Sequence, residues 1–422
     1  MNETKAFKYA IQMKIWLKFF VGSILGIIAG ILLPSNNQGV MDALAWVEQL
    51  AIGIGRYALV PLLFFSLTIA IYELRQDNRF WRLLLQTFVV IIGSALFVIT
   101  AGIIITLIFT PSRIPIFIEQ QTEAISLNIS NNILELFPSN MFAALNSNGI
   151  YLMPVLVFAF FLGIGLTYEK NYTKTIISLI DSLSRIFYHI TSFFTEILAI
   201  VMIALSAYWA LRFHSALSTE MFRDIIILLG VFSVILAFGI LPLFLYLLQP
   251  KINPWFVVYG SLGQAFAGFF SGDINFSLPV VFRHLKGNLG IKRRSSMVTV
   301  PLFSIFGRAG SAMTAAIAFI VVIQSYVSLG ITPGDVFLIG AYAFIISFLL
   351  ASSPGNGAYV ALATLCMFFG RGYESGYLIL RPIAFYMISI GTFLDVMIAT
   401  YASHAIAKFN GFQDDKRLDH FV

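Results

Sequence analysis

Charge is scarce in this chain. Of its 422 residues, 11% are Asp, Glu, Lys or Arg and 59% are hydrophobic, whereas a globular domain facing water carries roughly a quarter charged residues. The deficit excludes an ordinary soluble domain and points to a polytopic membrane protein. Cysteine is limited to Cys366, inside an apolar run, so no disulfide can close within the chain. The sequence carries no P-loop, no nucleophile elbow, no HExxH and no Cys/His cluster. Enzyme chemistry, a bound cofactor and a metal site therefore find no support. The net charge of +6 is explained by basic loops on one side of a membrane and does not call for a nucleic-acid partner.

Long apolar runs are abundant. They fall near 15–33, 44–73, 83–110, 151–168, 176–211, 224–248, 297–326 and 378–407, each near or above the roughly 20 residues that cross a bilayer. The first continues past basic residues to Leu33 without a small-residue cleavage site, so it is expected to be an uncleaved helix. Two further stretches are broken at their midpoints. Pro254 to Lys286 is interrupted by SGDINFSLP, and Gly334 to Phe369 by ASSPGNGA. Polar, Gly/Pro-rich backbone at membrane depth is tolerated only inside protein or against water. Paired interruptions of this kind point to a transporter's binding site. The expectation is eight spans with two re-entrant hairpins.

Loop charges fit that layout. Lys5, Lys8, Lys14 and Lys18 flank the first helix on its N-terminal side; Arg75, Arg79 and Arg82 follow the second. Lys170 and Lys174 follow the fourth. Arg283, Lys286 and Lys292 to Arg294 follow the first hairpin, and Lys408, Lys416 and Arg417 close the chain. All share one side, which the positive-inside rule makes cytoplasmic, with both termini. The opposite loops hold mainly Arg113, Arg212, Arg223, Arg371 and Arg381, and the polar segment 111–132 lies outside as a surface loop. The short chain and plain termini suit a bacterial inner membrane.

Four stretches carry a family likeness. ILELFPSNMFAALNSNG followed by LMPVLVFAFFLGIGL is similar to a fourth helix broken by a Pro-Thr-Asn-Pro-type motif. SLPVVFR is similar to a first hairpin's Thr-Leu-Pro-Val arm. SPGNGA, Ser353 to Ala358, is similar to a second hairpin tip of Val-Pro-Gly-Ala-Gly-Ala type. FLDVMIATYASHAIAK, Phe393 to Lys408, is similar to an eighth helix beginning Leu-Asp-Met-Gly-Arg. In order and spacing the chain resembles the dicarboxylate/amino acid:cation symporters, with the glutamate-transporter fold, over nearly its whole length. The resemblance implies an all-α membrane protein working by an elevator mechanism as a homotrimer. It implies scaffold helices 1–2 in residues 1–75, transport-domain helix 3 in 76–110 and scaffold helices 4–5 with an extracellular loop in 111–215. The rest of the transport domain would occupy 216–422, with hairpins at about 254–290 and 334–370.

The departures from the family bear on the coupling ion. Where the family's seventh helix is broken by Asn-Met-Asp-Gly-Thr, this chain reads Gly307-Arg308-Ala309-Gly310-Ser311. The family's sodium-binding Asn and Asp have become Gly307 and Ala309. On the eighth helix the family's Arg, Asn and second Asp read Ile398, Ala402 and Ile406. On the third, only Ser94 is polar where the family has a Tyr and Thr-Ser. Sodium is a hard cation that needs several oxygen ligands. The sodium sites implied by the resemblance are therefore expected to be absent or severely weakened.

Arg308 lies in an apolar run, where a buried charge costs about 3 kcal/mol or more and needs a partner or a purpose. Four readings stay open. It contacts a substrate carboxylate in place of the lost arginine; it supplies the positive charge that sodium brings elsewhere; it pairs with Asp395 or Asp273; or it snorkels to water. Asp395 matches the family's amine-binding aspartate, or else only neutralises Arg308. Asp273 ligates a cation, carries a proton, pairs with Arg308 or caps a half-helix. Asn275, Ser277 and Ser311 offer hydrogen bonds, and Ser353, Gly355, Asn356 and Gly357 would form a second tip closing over substrate.

The expected activity is sodium-independent secondary transport, proton-coupled or uncoupled, of an amino acid or related small carboxylate. The alternatives are a non-transporting sensor, anion pathway or scaffold protein on the same fold, or a still sodium-coupled symporter. A pocket bounded by 273–277, 308–311, 353–357 and 395 favours transport; a filled centre favours the non-transporting reading.

Overall fold

The computed structural model describes residues 14–33, 38–115, 127, 129–146, 149–168, 170–217, 220–250, 253–326 and 331–414. Lys5, Lys8, Lys416, Arg417 and residues 116–126 and 128 of the polar loop lie outside them. Among the described residues the chain is helical, apart from one isolated bridge between Ile291 and Gln413.

The first half comprises α1 (Ile15–Leu32), α2 (Gln38–Tyr57), α3 (Leu59–Gln76), α4 (Phe80–Ile108), the short α5 (Ile129–Glu135), α6 (Met153–Gly165) and α7 (Lys170–Leu217). The second half comprises α8 (Arg223–Ile235), a π turn, α9 (Leu241–Leu248), α10 (Pro254–Ser271) and α11 (Ile274–Gly287). It continues with α12 (Arg293–Phe306), α13 (Ala309–Tyr326), α14 (Pro333–Ser347), α15 (Gly357–Phe369) and α16 (Ala384–Phe409). Among the described residues, seven continuous helical stretches are long and apolar enough to cross a membrane. The apolar run near 151–168 forms only the 13-residue α6, because Pro154 fixes the helix start and a 3-10 turn and loop precede it.

Burial separates the helices by role. The windows in Arg293–Tyr326 and Gly376–Phe409 are 94% buried, against 33% for Ile15–Leu32 and Phe80–Ile108. On α4 the exposed Leu85, Val89, Ile92 and Leu96 recur at helical spacing, an apolar stripe that suits lipid and not water. α13 packs against α4, α15 and α16, so polar groups at its start lie in the interior.

The two broken stretches each fold as two helices packed on each other, α10 with α11 and α14 with α15. Three of these four helix starts are capped as the local sequence dictates. Asn253 Oδ1 accepts from Trp255 N, Asp273 Oδ1 from Phe276 N, and Thr332 Oγ1 from Asp335 N. Each cap satisfies one of the amides that a helix start leaves unpaired.

Helix α1 lies along α7 through a stripe of small residues, Gly22, Gly26 and Gly30. A Cβ at Gly22 would sit 2.9 Å from Ala199 O, and one at Gly26 would overlap Ser206 Oγ and Ile203 O. Glycine here lets two backbones approach more closely than any side chain allows. We expect Gly26→Val to destabilise the protein by about 1–3 kcal/mol through overpacking, read as a lower unfolding temperature in detergent. An unchanged temperature would show that α1 does not depend on this seam.

Candidate functional site

Arg308 occupies the break between α12 and α13. Helix α12 ends when Gly307 N donates to Phe303 O (2.9 Å), and α13 resumes with Ala312 N donating to Arg308 O. Two orphan amides at the start of α13 are captured by Asp395, on the facing side of α16. Its Oδ1 accepts from Gly310 N (2.7 Å) and Ser311 N (3.1 Å). Its Oδ2 accepts from Ser311 Oγ (2.6 Å) and Arg308 Nε (2.7 Å). A carboxylate has about four lone-pair positions, and all four are engaged. Asp395 is thus at once a helix cap and the counter-ion of Arg308, and both side chains are 0% exposed.

The guanidinium makes two further contacts, Nη2 to Ser311 Oγ (3.3 Å) and Nη1 to the carbonyl of Ser353 (3.5 Å). The Ser353 contact sits at the limit of a hydrogen bond. Gly357, at the start of α15, lies directly against the guanidinium, where a Cβ would overlap Nη2. Arg308 therefore joins α16, the start of α13 and the loop before α15.

Asp273 does not pair with Arg308. Its Oδ1 caps α11, and its Oδ2 forms an ion pair with Arg56, near the end of α2. The half-helix cap was one of its open readings; the Arg56 pair was not among them. Asn275 donates from Nδ2 to the carbonyls of Gly149 (2.9 Å) and Ile150 (2.8 Å), tying α11 to the loop before α6. Ser277 turns back to Asp273 O (2.9 Å) and faces no site. The two breaks meet, with Ile274 N donating to Pro354 O (3.2 Å). A Cβ at Gly355 would lie 2.7 Å from Asp273 Oδ2. Asn356 stands at the start of α15 without capping it.

A cavity of about 790 Å³ opens beside these tips, lined by Asp273, Gly355, Asn356, Arg56, Glu48 and Arg212 among others. Trp209 contributes to its wall and donates from Nε1 to Ser389 Oγ of α16 (3.0 Å). Arg212 lies over the ring of Phe385, 4.6 Å from its centroid. Arg308 and Asp395 do not line this cavity; the tips stand between. The centre bounded by 308–311 and 395 is filled by its own side chains.

Sequence reasoning missed Arg56 and Glu48, and it placed Arg212 in a loop. The available signal was charge inside an apolar run, since Glu48 and Arg56 interrupt 44–73, and such charges are functional candidates by default.

The positions that the resemblance matches to sodium ligands offer few side-chain oxygens. Gly307, Ala309, Ala402 and Ile406 carry no side-chain oxygen, and the last three are buried among apolar neighbours. Ser94 on α4 donates to Ile91 O (3.0 Å) within its own helix. Among the described residues no three His, Cys, Asp or Glu side chains group so as to hold a metal ion.

A helical membrane protein with two broken helix pairs meeting beside a cavity belongs to the class of secondary transporters of small molecules. The chain is a member of the sodium:dicarboxylate symporter family, whose sequence profile matches residues 15–409. A comparison with curated proteins returns no match.

The network predicts an order of damage. Asp395→Ala uncaps α13 and strands a buried guanidinium, an expected loss of about 3–5 kcal/mol. Arg308→Met leaves the carboxylate with three donors and a helix start, and should cost at least about 1 kcal/mol less. Denaturant unfolding of the two purified variants checks this; the reverse order would mean that Asp395 is not the hub.

Proposed function

We propose that this protein is a sodium-independent transporter of an amino acid or related small carboxylate, with Arg308 as a covalent substitute for the family's bound cation. The observation that carries this reading is the Arg308–Asp395 pair, which puts a guanidinium at the helix break where the resemblance places sodium ligands. Four positions that would need oxygen-bearing side chains are Gly, Ala, Ala and Ile.

In this reading the breaks at 271–274 and 348–356 are the tips of re-entrant hairpins, and the cavity beside them is the substrate's approach. Its lining suits a zwitterion, with Arg56 and Arg212 against Glu48 and Asp273. Withdrawal of the second tip removes the Ser353 carbonyl from Arg308, the longest contact the guanidinium makes. That frees N–H donors, and a substrate carboxylate takes them in a bidentate pair. Asp395 stays committed to α13 and Arg308, so recognition falls on the carboxylate end more than on the amine. The remaining parts of the reading are an elevator movement of α4 and α8–α16 against α1–α3, α6 and α7, assembly as a homotrimer, and a bacterial inner membrane with both termini cytoplasmic.

The filled centre supports a second reading, a non-transporting sensor, anion pathway or scaffold protein in which the Arg308–Asp395 pair stays closed. One experiment separates the two. Purified protein in detergent is screened by thermal unfolding against amino acids and small carboxylates, in sodium and in choline; a ligand of the native state raises the transition by mass action. We expect a compound that stabilises equally in both salts, loses that effect in Arg308→Met, and is taken up by proteoliposomes. Stabilisation that requires sodium would refute the substitution. No stabilising compound and no uptake would favour the second reading. As a gain-of-function check, Arg308→Met combined with Gly307→Asn and Ala309→Asp should introduce a sodium-dependent transition; a folded variant indifferent to sodium would sink the surrogate role.

A further inference from the structure

A second polar cavity, of about 680 Å³, lies away from the tips, between α7 and the junction of α11 with α12. Five cations line it: Arg185 from α7, Lys286 from α11, and Lys292, Arg293 and Arg294 at the start of α12. Two carboxylates, Glu73 and Asp414, share the lining. Outside the lining, Asp181 pairs with both Arg185 and Arg293, and Asp77 with Arg294, so five cations meet four carboxylates. Lys292 meets Asp414 at 3.4 Å. Lys286 has no carboxylate within 4.0 Å among the described residues, and its amine stands 4.0 Å over the ring of Tyr188.

The start of α12 makes this cluster unusual. A helix N-terminus bears partial positive charge and favours acidic residues or a capping side chain. Here the N-cap residue is Lys292, no side chain caps the helix, and its first turn contains no acid but two arginines. Three cations therefore sit at the positive end of a 14-residue helix, beside two more across the cavity. The four carboxylates leave one positive charge in excess beside a helix start that no side chain caps, and an anion with several acceptor oxygens would answer both, since arginine forks and helix-start amides suit a tetrahedral oxyanion.

We propose that this cleft binds a phosphate group, supplied by the headgroup of an anionic phospholipid or by a soluble phosphate. Basic pockets between membrane helices are a known form of headgroup site. The occupant would bridge α7 to α11 and α12, and so tie the two halves of the molecule together at a point remote from Arg308. The inference does not depend on the substrate reading.

The test uses the full-length protein in neutral detergent at low salt. Its unfolding temperature is followed against short-chain phosphatidylglycerol, inorganic phosphate and, as a control, short-chain phosphatidylcholine, whose choline cancels the charge. We expect saturable stabilisation by phosphatidylglycerol, by phosphate, or by both, beyond that of phosphatidylcholine. Stabilisation by the lipid alone assigns a headgroup; equal stabilisation by phosphate assigns a soluble ligand. The double variant Lys286→Gln, Lys292→Gln should bind about tenfold more weakly or worse, and Lys286→Arg, Lys292→Arg should retain binding. The proposal is overturned if neither anion stabilises more than the control. It is equally overturned if the Gln variant binds like the parent, or if Arg75→Gln, Arg82→Gln at a separate basic loop weakens binding as much.

Discussion

The buried pair of Arg308 and Asp395 is the contact on which the centre of this molecule depends. An unpaired guanidinium at that depth would be costly, and an unpaired carboxylate hardly less so. The cost is offset because one carboxylate does two jobs. It neutralises the arginine and captures the free amides of α13, so the positive end of a helix and a fixed cation share the same anion. This explains why the helix may break at Gly307–Arg308 in a region where the neighbouring windows are 94% buried. The break is satisfied from within the protein, as backbone at membrane depth must be.

A second ion pair, Arg56 with Asp273, stands in series with the first. It too couples a cation to a carboxylate that caps a half-helix. The two pairs differ in what they join. Arg308–Asp395 links segments in the second half of the sequence. Arg56–Asp273 links the first half to the second, beside Asn275 bound to the carbonyls before α6. One pair holds a site together; the other holds that site's tip against its surroundings. One stretch of chain touches both pairs: Gly355 faces Asp273 and Gly357 faces Arg308.

Much of this was legible in the sequence, and the unread part has a physical cause. The helical class followed from scarce charge and long apolar runs, and the two broken stretches from SGDINFSLP and ASSPGNGA. Asp273 as a cap and Asp395 as partner of Arg308 were among the alternatives, because a charge in an apolar helix must be answered. Which acid answered could not be read, since Asp273 beside a break and Asp395 inside an apolar helix are both distant from Arg308 in sequence. The decision came from a third residue, Arg56, which takes Asp273 and leaves Asp395 to Arg308. That partner lies 217 positions away, and no local pattern reports such a contact. The shortness of α6 was hidden for another reason: an apolar run gives an upper bound on a helix, while Pro154 and the preceding turn set its start.

A covalent cation differs from a bound one in what it can do for transport. A sodium ion that enters with substrate and leaves on the other side lends its own gradient to the cycle. A guanidinium travels with the protein in both directions and returns to where it began, so it contributes charge to the site and no free energy to the cycle. With Arg308 in that role, the charge moved per turnover is that of the substrate and of any proton that accompanies it. Substrate would then accumulate only as far as its own gradient, a counter-substrate or a proton allows. The same fixed charge also removes a step. A site that must first capture sodium is incomplete without the ion, whereas this one is charged and hydrogen-bonded before any ligand arrives. On the proposed reading its closed, satisfied state is the resting state that a substrate has to open, and the Ser353–Arg308 contact is the longest of those the guanidinium makes.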